Sequence, residues 1–155
     1  MNREKADETI EKIVNDGDIK SVLGIGAGSG FEALYCAEKG IQVDAVDPSG
    51  VTVHKNIRHL KMKAEEWCKP QNEKKYDLII LRSVLHFLKP EFVTKELLPK
   101  INSLLNENGF VYILLPHPVD EERYNHSREQ IREALQLNEK IIKSNDFSDI
   151  LLYSR

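Results

Sequence analysis

From Ser21 onward, short apolar runs alternate with helical patterns, and this alternation restricts the fold more than any other feature of the chain. "SVLGI", "IQVDAV" and "YDLIILRS" read as strands, the last being the clearest buried one, and "GFVYILL" reads as the next. "HLKMK" is a further candidate strand, and "EKIIKS" and "DILLYS" close the chain as two strands around "NDF". Helical patterns fall between them at 30–39, at 49–57, in "AEEWC", from Pro90 to about Asn106, and at 127–137. Pro90 suits a first helical turn, whereas Pro99 interrupts the same helix and is expected to kink it. Ahead of the first strand, Ala6, Ile10, Ile13 and Val14 share one helical stripe that "NDGD" ends, giving an amphipathic helix over 3–16. Strands that alternate with helices of about 10 to 15 residues call for a mainly parallel sheet with helices on both faces. The expected fold is a doubly wound α/β sheet of seven strands, in a single domain over 1–155 with 1–19 as an N-terminal helical segment.

A chain of 155 residues can bury a core of its own. With 30% charged residues and a net charge of -3, it carries no electrostatic footprint for DNA or RNA, so nucleic acid is not an expected partner. No apolar run reaches the roughly 18 residues needed to span a bilayer, and "MNREKADETIEKIV" lacks the apolar middle of a secretory signal. A cytoplasmic protein without a membrane partner is expected. Cys36 and Cys68 are too few for a disulfide scaffold and form no CxxC pair, so they read as reduced thiols and no metal site is expected.

The first strand runs into five small residues, Gly26 to Gly30, and a helical segment follows at once. In an open parallel sheet that place, outside the carboxyl ends of the strands, is where ligands sit. Glycine at Gly26, Gly28 and Gly30 permits positive φ and lets a ligand approach the main chain, while the next helix points unpaired N–H groups at the same spot. Spacing narrows the ligand. The dinucleotide pattern Gly-x-Gly-x-x-Gly fails in both frames, at Phe31 and at Ser29, and no Lys-Ser or Lys-Thr pair follows to make a triphosphate loop. Asp47 falls at the end of the second strand, beside the glycine turn, where a carboxylate can accept both hydroxyls of a ribose; the other reading of Asp47 is a cap for the next helix.

"VLGIGAGSG", "VDAVDPS", "KAEEW", "YDLIILRSVLHFL" and "LLNENGFVYI" stand in the order and spacing of the class I S-adenosylmethionine-dependent methyltransferases, which the chain resembles from Ser21 to Ile113. The closing helix and two strands resemble the family's antiparallel sixth and seventh strands. The resemblance implies that Gly26, Ala27, Gly28 and Gly30 lie against the methionine part of the cofactor, that Asp47 holds the ribose and that Pro48 packs near the adenine. It further implies that Ala64 and Glu65 face the adenine, and that Arg82 and Ser83 form the turn beneath the reactive sulfonium. Two positions depart from the pattern: Lys63 stands where an Asp is common, and Gly24 stands where the family carries an acid that helps hold the cofactor's amino group.

The implied reaction is an in-line displacement at a methyl carbon, with S-adenosylhomocysteine as product, and it needs a base only where the acceptor is protonated. His86 and His117 are the candidate bases; the leading alternative for His86 is a residue that merely packs beside Phe87 under the sheet edge, and a rigid loop between two prolines explains His117 equally well. Tyr124 and His126 lie on the longest loop, where a lid could form. With only about 20 residues ahead of the first strand, the resemblance implies an open acceptor site that admits a large substrate such as a protein or a bound carrier, or that a second subunit completes in a homodimer; the acceptor itself, small molecule or protein, is left open. The rival expectation is a non-catalytic binding module that keeps the fold, since fold does not fix chemistry.

Overall fold

Along β1 (Ser21–Ile25), Leu23 and Ile25 enter one buried cluster while Val22 enters another on the opposite face. The same alternation runs through β4 (Tyr76–Arg82), with Ile79 and Leu81 on one side and Leu78 and Ile80 on the other, and through β5 (Leu105–Pro116). A strand buried on both faces is apolar at successive positions, which explains the continuous runs in the sequence. Each fully buried Leu or Ile contributes about 1.5–3 kcal/mol. The computed structural model describes residues 7–26, 31–50, 53–69, 74–117 and 122–155.

With β2 (Gln42–Val46), β3 (Ile57–Leu60), β6 (Asn138–Ser144) and β7 (Ser148–Ser154), the strands form one seven-stranded sheet in the order β3-β2-β1-β4-β5-β7-β6. β1 to β5 pair in parallel, and β7 lies antiparallel between β5 and β6. Two helices, α1 (Glu8–Asp16) and α2 (Phe31–Glu38), cover one face. The other is covered by α3 (Ala64–Cys68), by the consecutive helical segments α4 (Pro90–Phe92), Val93–Leu97 and α5 (Leu98–Leu104), and by α6 (Arg128–Leu135). From β1 the sheet grows to β2 on one side and to β4 on the other, so a crevice opens outside the carboxyl ends of these strands.

The structure departs from the sequence expectation in several places. The first helix begins at Glu8, where Asp7 caps it by accepting from Thr9 N–H at 2.8 Å; residues 3–6 lie outside the described residues. No helix occupies the described part of 49–57. Instead Ile57 N–H donates to the His54 carbonyl in a turn, and β3 starts at Ile57, earlier than "HLKMK", because its backbone pairs with β2 from Val43↔Ile57 to Val46↔Leu60. The interruption expected at Pro99 takes the form of a widened π-helical stretch, Val93–Leu97, with the Leu98 N–H reaching back to the Val93 carbonyl. Proline has no N–H for an α-helical bond, and a wider turn re-satisfies the carbonyls around it. That helix ends at Leu104, and β5 begins at Leu105, ahead of "GFVYILL", with an irregular register between Tyr76 and Leu78 on its partner β4.

Candidate functional site

At the end of β1 the chain turns at Gly26, whose φ is +67° and whose N–H donates to the Val46 carbonyl at 2.8 Å. A Cβ there would sit 2.6 Å from Val84 Cβ, so the turn requires glycine both for its conformation and for the close approach of Val84. Ala27, Gly28 and Gly30, the other expected members of the turn, lie outside the described residues.

One strand over, Asp47 directly follows β2 and is only 8% exposed. Its backbone is tied on both sides: the N–H donates to the Leu60 carbonyl at 3.2 Å, and the carbonyl lies 2.9 Å from His59 Nε2. One carboxylate oxygen, Oδ1, accepts from Ser49 N–H at 2.8 Å, forming an Asx turn; the helix that the capping reading of Asp47 requires does not follow in the described residues.

Between these two strand ends lies a cleft of about 500 Å³. Gly26 and Asp47 stand on its wall with Pro48, Ser49, Lys63, Ala64 and Glu65, and the far side is closed by Ser83, Val84, Phe87 and Leu88. Of the expected cofactor residues that the structure describes, it thus brings together Gly26, Asp47, Pro48, Ala64, Glu65 and Ser83. Ser83 carries a positive φ of 56° and donates its N–H to the Leu114 carbonyl, and such conformations outside glycine collect at functional sites. A 3-10 turn, Leu85–Phe87, carries the apolar wall, and Phe87 stands 55% exposed with Arg123 4.5 Å above its ring. Sequence reasoning placed nothing of this wall except Ser83.

Arg82 behaves differently. It does not line the cleft; its guanidinium meets Glu32 of α2, with Nε 3.3 Å from Oε1 and a hydrogen bond to Oε2 at 3.4 Å. The pair borders a second, much smaller hollow together with Gly24 and Gly26. Glu32 escaped sequence reasoning, yet it left a signal: it lies four residues before Cys36 on the buried face of α2. Burial, with the Glu32 carboxylate adding, pushes the Cys36 thiol up to about 12.

Neither candidate base lines the cleft, and the two lie in different surroundings. His86 is half-buried, tilted against Phe87 with ring centroids 4.1 Å apart, and its carbonyl accepts from Tyr124 N–H. His117 does not line the cleft: at the end of β5 its ring lies between the Asp146 carbonyl and Asp149 Oδ1, both at 3.1 Å. Two acceptors favour the imidazolium: the hydrogen bond to Asp149, then that to the Asp146 carbonyl, raise the pKa of His117 above the ordinary value, and both ring nitrogens are engaged away from the cleft. On the loop expected to form a lid, His126 is buried and its Nε2 lies 2.6 Å from the Leu85 carbonyl and 3.0 Å from that of Leu88. It fastens the loop to the apolar wall. Among the described residues, no group of three or more His, Cys, Asp or Glu could hold a metal ion, and no helix is long and apolar enough to cross a membrane.

A family model described as a methyltransferase domain matches residues 2–145. Among solved structures, the chain is similar to 1,6-didemethyltoxoflavin-N1-methyltransferase from Burkholderia thailandensis with bound 1,6-didemethyltoxoflavin and S-adenosylhomocysteine (18% identity, 97% of this chain and 78% of that one, TM-score 0.75). It is similar to TehB from Haemophilus influenzae at 15% identity and a TM-score of 0.78, covering 97% of this chain but 62% of that one, under two thirds of its length. Magnesium protoporphyrin IX methyltransferase from Synechocystis with bound SAM shares 20% identity over 96% of this chain and 78% of that one, at a TM-score of 0.71. At these identities the likeness shows the fold. No curated protein matches by sequence.

Proposed function

The chain belongs to the methyltransferase domain family, with its class I fold, and on that premise we propose that it moves the methyl group of S-adenosylmethionine to an acceptor, releasing S-adenosylhomocysteine. The observation that carries this reading is the cleft between Gly26 and Asp47. Its volume of about 500 Å³ falls within the range of small-molecule sites, about 300–1,000 Å³. A bare main-chain turn at one end and a buried carboxylate at the other fit a nucleoside with an amino-acid tail.

In this reading Asp47 accepts the ribose hydroxyls with the carboxylate that the Asx turn orients. Pro48, Ala64 and Glu65 border the adenine, and Gly26, Ala27, Gly28 and Gly30 lie along the amino-acid end. The sulfonium supplies the activated methyl group. What remains for the chain is to aim the acceptor atom in line with the breaking bond, at about 3–3.5 Å, and to keep water away. Ser83, Val84, Phe87 and Leu88 suit that second task, since three of the four are apolar and all stand on the cleft wall. Where the acceptor must lose a proton, His86, beside Phe87, is the base we favour over His117.

Methyl-labelled cofactor incubated with the protein and fractions of a cell extract tests the assignment. Label is expected on an acceptor, small molecule or protein, and transfer is expected to disappear with Asp47→Ala. Cofactor binding without transfer to any fraction would favour the binding-module reading, for which Gly24 in place of an acid is the specific support.

A further inference from the structure

Gly24 has its would-be side chain directed into open space: a Cβ built there meets nothing within 4 Å. The space is the small hollow that it borders with Glu32 and Arg82, about 10 Å³, enough for about one water molecule. The Glu32 side chain is 5% exposed and that of Arg82 is 19% exposed. Removing a carboxylate from water costs several kcal/mol, which a partner offsets only through well-made hydrogen bonds. Arg82 offers poor ones. Charge-assisted bonds between nitrogen and carboxylate run at about 2.7–2.9 Å, whereas this pair touches at 3.3 and 3.4 Å. The shorter contact lacks hydrogen-bond geometry, so among the described residues Glu32 Oε1 accepts no hydrogen bond and Arg82 Nε donates none. A buried acceptor and a buried donor of opposite charge therefore stand side by side, each with capacity left over, next to the position from which an acid is missing. Gly26 borders both this hollow and the large cleft, so the pair adjoins the place where the methionine end of the cofactor belongs.

Resting on the reading above, we propose that Glu32 supplies the carboxylate that holds the cofactor's ammonium group, directly or through one water, in place of the acid absent at Gly24. Arg82 is the positioning residue that keeps Glu32 aimed, and its remaining N–H capacity suits the cofactor's own carboxylate. The acid has moved from strand β1 to helix α2, and the site keeps its charge complement.

Calorimetric titrations with S-adenosylhomocysteine and with 5′-methylthioadenosine, which has the same nucleoside and no amino-acid end, test this without any turnover. Glu32→Gln is expected to weaken S-adenosylhomocysteine binding about 10- to 100-fold, the scale of a charged hydrogen bond, and to change methylthioadenosine binding by less than about 3-fold. Gly24→Asp introduced into that variant is expected to recover part of the loss, because a Cβ at that position meets nothing within 4 Å. Glu32→Asp retracts the carboxylate by one methylene and retains the charge; it should show the same ligand selectivity to a smaller degree, and it replaces Glu32→Gln should that variant not fold. Equal loss for both ligands would mean a merely structural pair, and unchanged S-adenosylhomocysteine binding would also overturn the proposal. A native protein that binds methylthioadenosine as tightly as S-adenosylhomocysteine overturns it while leaving the nucleoside cleft intact. A native protein that binds neither ligand overturns both readings.

Discussion

Gly26 shows most sharply how one residue sets the site. Its φ of +67° already disfavours any side chain, by about 1–2 kcal/mol, and Val84 leaves no room for a Cβ. Gly26→Ala is therefore expected to lower the melting temperature by several degrees and to weaken cofactor binding, because relief requires Val84 to move within the cleft wall. An unchanged melting curve would contradict this account. Asp44 makes a comparable point about charge. Buried in the middle of β2, it accepts from Tyr76 Oη at 2.7 Å, Lys74 Nζ at 2.9 Å and Arg58 Nε at 3.1 Å. Burial alone would raise its pKa, but the hydrogen bonds from Lys74, Tyr76 and Arg58 win and hold it below the ordinary carboxylate value. A depressed folded pKa gives stability that is present above the unfolded value, about 3.9, and is lost as pH falls through the folded one. Urea midpoints measured from about pH 5 downward should fall more steeply for the native chain than for Asp44→Asn; parallel curves would refute the assignment. Tyr76→Phe should cost about 1.5–3 kcal/mol at neutral pH, since it removes a buried hydrogen bond to a charge.

At the scale of elements, the 3-10 turn Leu85–Phe87 builds the cleft wall, and His126 is what ties it down. Both partners of His126 Nε2 are carbonyls, so that nitrogen carries a proton and donates. Burial lowers the pKa of His126 although both carbonyl bonds oppose the shift. The folded imidazole therefore resists a second proton: its stability contribution is present above the unfolded value, about 6.5, and is lost as pH falls through the folded value. Hydrogen exchange at the Phe87 and Leu88 amides, corrected for intrinsic rates, is expected to speed up between about pH 7 and pH 5 in the native chain and to stay flat in His126→Gln. Equal behaviour of the two would disprove the tether. The same element explains what the sequence hid. "YDLIILRS" was legible because burial on both faces leaves an unbroken apolar run, whereas "PHPVDEERYNHS" reads as a polar connector. His126 is buried by contacts 41 and 38 residues away, which no local pattern records. Likewise 49–57 carries a helical pattern, but β2 recruits Ile57–Leu60 as a strand, and long-range pairing overrides local preference. Glu32 was missed for a related reason: an acid in a first helical turn reads as a partner of the helix dipole, and only the packed sheet shows it buried beside Arg82.

For the whole molecule, sheet order decides where chemistry can occur. β1 sits between β2 and β4, so Gly26, Asp47 and Ser83 converge from three strand ends although 57 residues separate the first from the last. That convergence was legible from the alternation of strands and helices together with the glycine turn and the acid of "VDAVDPS". The acceptor side was not, because it depends on which surfaces the turn at Leu85–Phe87 and the loop after β5 leave open. The central claim is that a nucleoside with a charged amino-acid tail binds between Gly26 and Asp47. An electron-density map from crystals soaked with S-adenosylhomocysteine tests it most directly. The expected map shows the ribose on the Asp47 carboxylate, the adenine beside Pro48 and Ala64, and the amino-acid end past Gly26 toward Glu32. Ligand density elsewhere, or a cleft that stays empty at millimolar concentration while crystal contacts leave it open, would contradict the claim.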